Sequence, residues 1–280
     1  MPHPHRLHPA SAFFLAAFLT NPFAHASATT SKGLTYAVAG DHKLRLDLYY
    51  PASPPPRAGY PLIISIHGGG WLIGNRNKDL VLRGLTRDGY AIASIDYRLS
   101  REAKYPAQIA DTRHALQWLM KNATALHLDA KHIGATGASA GGHLALLLGL
   151  DPQTSPNPIK AICALYPPTD LISIVPPKNR EERDNPVALL LGAPVSQRLA
   201  LAKKGSPITY VTAHAPPVLL IHGDRDSLVP LDQSRVLNLA LRHAGAKSSL
   251  MIFQGKGHAF GLDDSALRDV AGFFDRYLKN

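Results

Sequence analysis

Along the chain, short apolar runs alternate with longer segments whose apolar residues recur every three or four positions. The short runs, bounded by glycine, proline or polar residues, predict buried strands, and the longer periodic segments predict helices. The predicted strands cover residues 34–38, 44–50, 62–67, 91–97, 133–136, 161–166, 218–222 and 249–253. The predicted helices cover residues 78–88, 106–126, 142–150, 231–244 and 262–278.

This alternation predicts an α/β fold, in which a mainly parallel central sheet is covered by helices on both faces. A chain of 280 residues accommodates one such domain, which we expect to extend from residue 33 to residue 280. Residues 170–215 interrupt the alternation and are rich in proline. Two interpretations of this segment stand: a small cap insertion over the carboxyl edge of the sheet, or a long surface connection.

The first residues have the layout of an export signal. Arg6 precedes an apolar stretch at 10–19, and small residues offer a cleavage site at Ala24-His25-Ala26 or at Ala26-Ser27-Ala28. We therefore expect residues 1–26 to be a signal peptide and the mature protein to be secreted or periplasmic. The apolar stretch is too short to cross a bilayer comfortably, and no integral membrane span is expected after cleavage.

The chain is basic, with a formal net charge of +10 and a pI of about 9.7. Its lysines and arginines are scattered rather than clustered on one segment, which argues against a nucleic-acid partner. Such a positive surface would favour anionic polymers, acidic polysaccharide among them. The single cysteine, Cys163, lies within an apolar run and is expected to be buried filler.

A glycine-flanked serine stands where a predicted strand passes into a predicted helix. The motif is Gly137-Ala138-Ser139-Ala140-Gly141. Glycines two positions before and after the serine leave room for a sharp turn that projects its hydroxyl out of the sheet. Ser139 is therefore the candidate nucleophile.

A serine nucleophile needs a base and an orienting acid, and the chain offers both after later strands. His258, in a glycine-containing loop after the last predicted strand, is the candidate base. Asp226, in the turn after the strand at 218–222, is the candidate acid. Asp224 competes for that role, although an aspartate at its position is more typical of an Asx turn that fixes the loop.

Three consecutive glycines after the strand at 62–67 supply the candidate oxyanion hole. They occur in His67-Gly68-Gly69-Gly70-Trp71. The N–H groups of Gly69 and Gly70, with that of Ala140 after the nucleophile, are the proposed donors. We expect His67 to hold the loop. For Trp71, a candidate substrate-binding residue, two roles stay open: packing over the acyl group or anchoring the loop in the core.

These motifs, together with Asp96-Tyr97-Arg98-Leu99 and His222-Gly223-Asp224-Arg225-Asp226, resemble an α/β-hydrolase esterase. The chain resembles the bifunctional acetylxylan/feruloyl esterase group, which is close to the hormone-sensitive-lipase-like carboxylesterases. The resemblance implies the α/β-hydrolase fold and the roles given above for Ser139, Asp226, His258, Gly69, Gly70 and Ala140. Ala138 stands where the hormone-sensitive-lipase pattern usually has aspartate, and Asp96-Tyr97-Arg98 is expected to form a structural hydrogen-bond network below the site.

The expected function is that of a serine carboxylesterase hydrolysing short-chain acyl esters, with no cofactor and no metal. Its expected substrate is a small ester or an acylated plant polysaccharide carrying acetyl or feruloyl groups. An amidase or formamidase with the same triad is the alternative within the enzymes. A catalytically dead hydrolase-fold binding protein is the alternative outside them, and the sequence carries no signal for the oligomeric state.

Overall fold

The structure is a computed structural model that describes residues 29–78, 82–155, 157–179 and 181–279. The predicted signal peptide at 1–26 lies outside these residues. The strands are β1 Thr29–Ala39, β2 His42–Tyr50, β3 Tyr60–Ile66, β4 Ala91–Ile95, β5 Leu128–Ala138, β6 Ile159–Leu165, β7 Val218–Gly223 and β8 Ser248–Phe253. The α-helices are α1 Ala107–Lys121, α2 Ala140–Leu150, α3 Pro186–Leu191, α4 Leu199–Lys204, α5 Asp232–His243 and α6 Asp264–Leu278.

The strands form one sheet in the order β1-β2-β4-β3-β5-β6-β7-β8. β1 and β2 pair antiparallel with each other, and β2 pairs antiparallel with β4. From β4 to β8 every neighbouring pair is parallel. The carboxyl ends of these parallel strands therefore meet at one edge of the sheet, where open α/β sheets bind their ligands. The predicted mainly parallel α/β fold is confirmed.

Alternate residues of the central strands face opposite layers of helices. Leu62, Ile64 and Ile66 of β3 join a core cluster with residues of α1, α2 and α5, whereas Ile63 joins a second cluster with residues of α6. This follows from the two-residue period of a strand. Because both faces are covered, the central strands are apolar throughout, and the sequence shows them as continuous runs.

The helix predicted at 78–88 is a 3-10 helix rather than an α-helix in the part that the structure describes. A 3-10 helix occupies Arg83–Asp88 and ends at Gly89, whose φ is 85°. Leu82 and Leu85, three residues apart, are both buried against the α6 face of the sheet. A spacing of three matches the three-residue turn of a 3-10 helix, and Gly84 weakens an α-helix at this point.

The segment at 170–215 holds the short helices α3 and α4 together with several 3-10 turns. Its apolar residues, Leu190 and Val195 among them, belong to the same core cluster as α1 and α2. Pro186 lies beside the glycine-rich loop, since a Cβ built on Gly70 would be 3.7 Å from the Cβ of Pro186. The segment thus packs against the domain next to the predicted oxyanion loop, and its function as a cap stays a prediction.

Candidate active site

Ser139 lies between β5 and α2 with a φ of 53° and a ψ of −119°. A side chain in this left-handed region costs about 1–3 kcal/mol, and such backbones persist where the surroundings enforce them. The surroundings here are tight: a Cβ on Gly137 would overlap the backbone of Gly141, and one on Gly141 would overlap the carbonyl of Ile66. The two glycines therefore permit the close approach of β3, β5 and α2 that shapes this turn.

The structure brings the three candidate catalytic side chains into one chain of hydrogen bonds. The Ser139 hydroxyl lies 3.0 Å from Nε2 of His258, and Nδ1 of His258 lies 2.6 Å from Oδ2 of Asp226. Since an ionised carboxylate only accepts, Nδ1 carries the proton and Nε2 is left to accept from the serine hydroxyl. This is the geometry by which a histidine can take a proton from a serine.

Asp226 is a buried carboxylate surrounded by donors. Its Oδ1 accepts from the N–H groups of Leu228 and Val229, both at 2.9 Å. Its Oδ2 lies 3.3 Å from Nε2 of His222 as well as against His258. Burial by itself raises the pKa of Asp226, but the hydrogen bonds from His222 and His258 outweigh burial and hold that pKa far below its usual range. Asp226 is therefore ionised and oriented toward His258.

Asp224, the competing carboxylate, points elsewhere. Its Oδ1 accepts from the N–H of Gly255 at 2.6 Å, while its own N–H donates to the carbonyl of Phe253. Asp224 thus joins the loop after β7 to the loop after β8, which carries His258. This is the loop-fixing role that the sequence suggested for it.

The glycine-rich loop after β3 has an unusual backbone. Gly69, Gly70 and Trp71 have φ values of 100°, 61° and 60°. A Cβ on Gly69 would overlap the carbonyl of Ile73, so this position requires glycine. Among the described residues, no hydrogen bond uses the N–H of Gly69, Gly70 or Ala140. Within this part of the chain these three backbone donors carry no internal hydrogen bond, and their role as the oxyanion hole stays a prediction.

Tyr97, in the segment after β4, contacts the start of this glycine-rich loop. The ring of Tyr97 stacks on His67 with 4.3 Å between centroids, and its hydroxyl donates to the carbonyl of His67 at 3.1 Å. Arg98 pairs with Asp111 of α1 at 2.7 Å, and Asp96 pairs with Arg76 at the same distance. His67 is buried and its Nδ1 lies 2.8 Å from the carbonyl of Gly68. The structure thus gives His67 and the Asp96–Arg98 segment structural contacts.

Trp71 extends into the core rather than across the surface. Only 2% of it is exposed, and its indole N–H donates to Nδ1 of His143 at 3.3 Å. These contacts favour the anchoring interpretation of Trp71, and a contact between its ring and substrate stays a prediction.

Three buried residues of the site were not anticipated. Nε2 of His222 lies 3.3 Å from Oδ2 of Asp226, His143 contacts Trp71, and the ring of Tyr166 packs edge-on against His258 with 4.7 Å between centroids. His222 and Tyr166 end predicted strands, and His143 is a polar residue within an apolar helix. Their position at the carboxyl edge of the sheet is the signal by which His222 and Tyr166 could have been predicted.

In the part of the chain that the structure describes, no group of three or more histidine, cysteine, aspartate or glutamate side chains is arranged to hold a metal ion. No helix there combines the length and the apolar character that crossing a membrane requires. Burial raises the pKa of the Cys163 thiol to about 12, so this side chain is a neutral part of the core.

Known proteins resemble this chain in sequence and in fold. The family model described as BD-FAE matches residues 46–241. The chain belongs to the BD-FAE family. The esterase LipC of Mycobacterium tuberculosis is 30% identical to this BD-FAE chain over 240 residues, which cover 81% of the chain and 60% of LipC. The chain therefore spans about three fifths of the length of this curated relative.

Solved structures of esterases superimpose on this chain over nearly their whole length. A truncated carbohydrate esterase from gut microbiota superimposes with a TM-score of 0.78 at 27% identity, covering 91% of this BD-FAE chain and 98% of that one. Esterase 2 of the planctomycete Thermogutta terrifontis has been solved with butyrate bound (TM-score 0.70, 26% identity, 88% and 90% covered). It has also been solved phosphonylated by sarin (TM-score 0.72, 26% identity, 89% and 93% covered).

These likenesses confirm the predicted α/β-hydrolase fold and the predicted resemblance to the esterases of that fold. The relatives and neighbours named here are esterases.

Proposed function

We propose that this protein is a serine carboxylesterase with Ser139 as nucleophile, His258 as general base and Asp226 as the orienting acid. The observation that carries the proposal is the hydrogen-bonded series Ser139–His258–Asp226, with 3.0 Å and 2.6 Å between its atoms, at the carboxyl edge of the sheet. The N–H groups of Gly69, Gly70 and Ala140, which donate no hydrogen bond within the described part of the chain, support it.

Each group has one task in the proposed reaction. Oγ of Ser139 attacks the ester carbonyl carbon while Nε2 of His258 takes the hydroxyl proton. Negative charge on the former carbonyl oxygen is stabilised by the N–H groups of Gly69, Gly70 and Ala140. The tetrahedral intermediate then collapses, and His258 donates its proton to the departing alcohol. Water, deprotonated by the same histidine, hydrolyses the acyl-enzyme and regenerates Ser139.

Short acyl groups on carbohydrate are the proposed substrates, acetyl or feruloyl esters of plant polysaccharide among them. Support comes from the structural likeness to a gut carbohydrate esterase and to an esterase that binds butyrate. Export through the predicted signal peptide would bring the enzyme to such polymers, and we propose a secreted or periplasmic location.

The test is hydrolysis of p-nitrophenyl acetate, butyrate and octanoate, of acetylated xylan and of the amide acetanilide, by wild type and by Ser139→Ala. We expect wild-type turnover to be greatest on the acetate or butyrate, acetate to be released from xylan, and the variant to be inactive while its thermal unfolding is unchanged. Near-normal turnover by Ser139→Ala would disprove the assignment of the nucleophile. Cleavage of acetanilide without cleavage of any ester would indicate an amidase instead.

A further inference from the structure

His143 is a fully buried imidazole in the helix that follows Ser139. The sequence of α2 is otherwise alanine, glycine and leucine. The ring lies edge-on to the indole of Trp71, with 5.1 Å between centroids. Its Nδ1 lies 3.3 Å from Nε1 of Trp71, and its Nε2 lies 2.6 Å from the carbonyl oxygen of Gly205. One side chain therefore joins the nucleophile helix, the glycine-rich loop and the segment at 170–215.

The two partners fix the tautomer of this ring. A carbonyl oxygen only accepts and an indole nitrogen only donates. Nε2 of His143 must therefore carry the proton that Gly205 accepts, and Nδ1 must offer a lone pair to Trp71. Burial lowers the pKa of His143 to about 4, which keeps the ring in this neutral form at neutral pH.

Trp71 needs such a partner because its own backbone is strained. Its φ of 60° is rare for a residue with a large side chain. Its carbonyl accepts from the N–H of Ser100 at 2.7 Å, and its indole N–H donates to His143. These two bonds hold the end of the segment in which Gly69 and Gly70 also have positive φ.

We propose that His143 is a positioning residue: by accepting the Trp71 indole N–H, it fixes the backbone of Gly69 and Gly70 in the conformation that binds the oxyanion. This inference rests on the proposed esterase function. Through Gly205, at the end of α4, the same ring makes the position of the 170–215 segment part of the support of the oxyanion hole.

The test separates the two bonds of the ring. Trp71→Phe removes the indole donor and keeps an aromatic ring, and His143→Leu removes both bonds. His143→Asn keeps an acceptor at the position of Nδ1 but cannot reach Gly205, so it should recover most of the turnover that His143→Leu loses. Trp118→Phe, on α1, is the matched control for loss of an indole. Each variant is assayed for kcat and KM on p-nitrophenyl acetate and for its melting temperature.

We expect kcat to fall at least tenfold in Trp71→Phe and His143→Leu, with KM within threefold of wild type, because the oxyanion forms after substrate binds. Trp118→Phe should keep the wild-type kcat. A folded Trp71→Phe with kcat within twofold of wild type would overturn the inference while leaving the esterase assignment intact. If His143→Leu does not fold, the comparison of kcat between Trp71→Phe and Trp118→Phe decides alone. A wild type inactive on every ester would overturn the proposed function and this inference with it.

Discussion

The backbone of Ser139 stores strain that glycine would relieve. Its φ of 53° and ψ of −119° are readily adopted by glycine, and its side chain makes no capping bond to α2. We predict that Ser139→Gly is more stable than Ser139→Ala by about 1 kcal/mol. Relief of about 1–3 kcal/mol of strain is partly offset by the greater flexibility of glycine in the unfolded chain. Urea unfolding of the two inactive variants measures the difference.

Ser139→Ala is the control for loss of the hydroxyl, because alanine retains the strained backbone. Wild type and Ser139→Ala should therefore have similar free energies of unfolding. Equal stability of the glycine and alanine variants would show that the turn carries no strain at this residue.

His143 makes folding sensitive to acid. Burial lowers its pKa from 6.5 to about 4 in the folded protein. Between these two values only the unfolded chain takes up the proton, so stability is complete above pH 6.5 and falls as the pH decreases toward 4. The full contribution of this one group is about 3 kcal/mol.

His143→Asn removes the titrating ring, so comparing it with wild type isolates this contribution from that of the carboxylates. We predict that wild type loses about 3 kcal/mol more than the variant between pH 7 and pH 4. Urea unfolding at the two pH values gives both numbers. Equal losses of unfolding free energy in wild type and His143→Asn would mean that His143 takes up a proton as readily in the folded protein as in the unfolded chain.

At the scale of elements, the loop after β7 presents two carboxylates with different tasks. Asp226 contacts His258 and Asp224 contacts the N–H of Gly255. We predict that Asp226→Asn lowers kcat about a thousandfold or more, because the amide no longer fixes the tautomer of His258 or stabilises its charged form. Asp224→Asn should change kcat by less than about tenfold, since it loosens only a loop contact. A larger loss in Asp224→Asn than in Asp226→Asn would reverse the assignment.

Sequence patterns located elements better than they located contacts. The run at 62–67 was predicted as a strand because a strand covered on both faces is apolar throughout. The helix predicted at 106–126 ends at Lys121, and both the backbone N–H and the side-chain amide of the next residue, Asn122, donate to the carbonyl of Trp118.

Side-chain partners from distant segments were beyond prediction. His143 meets Gly205, 62 residues away, and no local pattern in an apolar helix distinguishes such a histidine from core filler. Ser139, Asp226 and His258 were recognisable because each follows a strand of the parallel sheet, whose carboxyl ends meet at one edge. The sequence therefore predicted the site through the order and direction of its strands, and not through the packing of its side chains.

At the scale of the whole molecule, the candidate site is assembled at the carboxyl ends of four of the five neighbouring parallel strands from β3 to β8. The oxyanion loop follows β3, Ser139 follows β5, Asp226 follows β7 and His258 follows β8. The antiparallel β1 and β2 extend the opposite end of the sheet and contribute none of these residues. Because β1 begins at Thr29, the fold includes residues close to the predicted cleavage site after Ala26.

Removal of residues 1–26 should therefore leave the fold and the site intact. We predict that a chain starting at Ser27 has the melting temperature and the kcat of the chain isolated after export, because cleavage there retains all of β1. A second truncation, starting at Ala39, should lower the melting temperature, since it removes the strand that pairs with β2. Mass spectrometry of the exported protein gives the mature N-terminus. A mature chain that starts well inside β1, or export without cleavage, would contradict the predicted signal peptide.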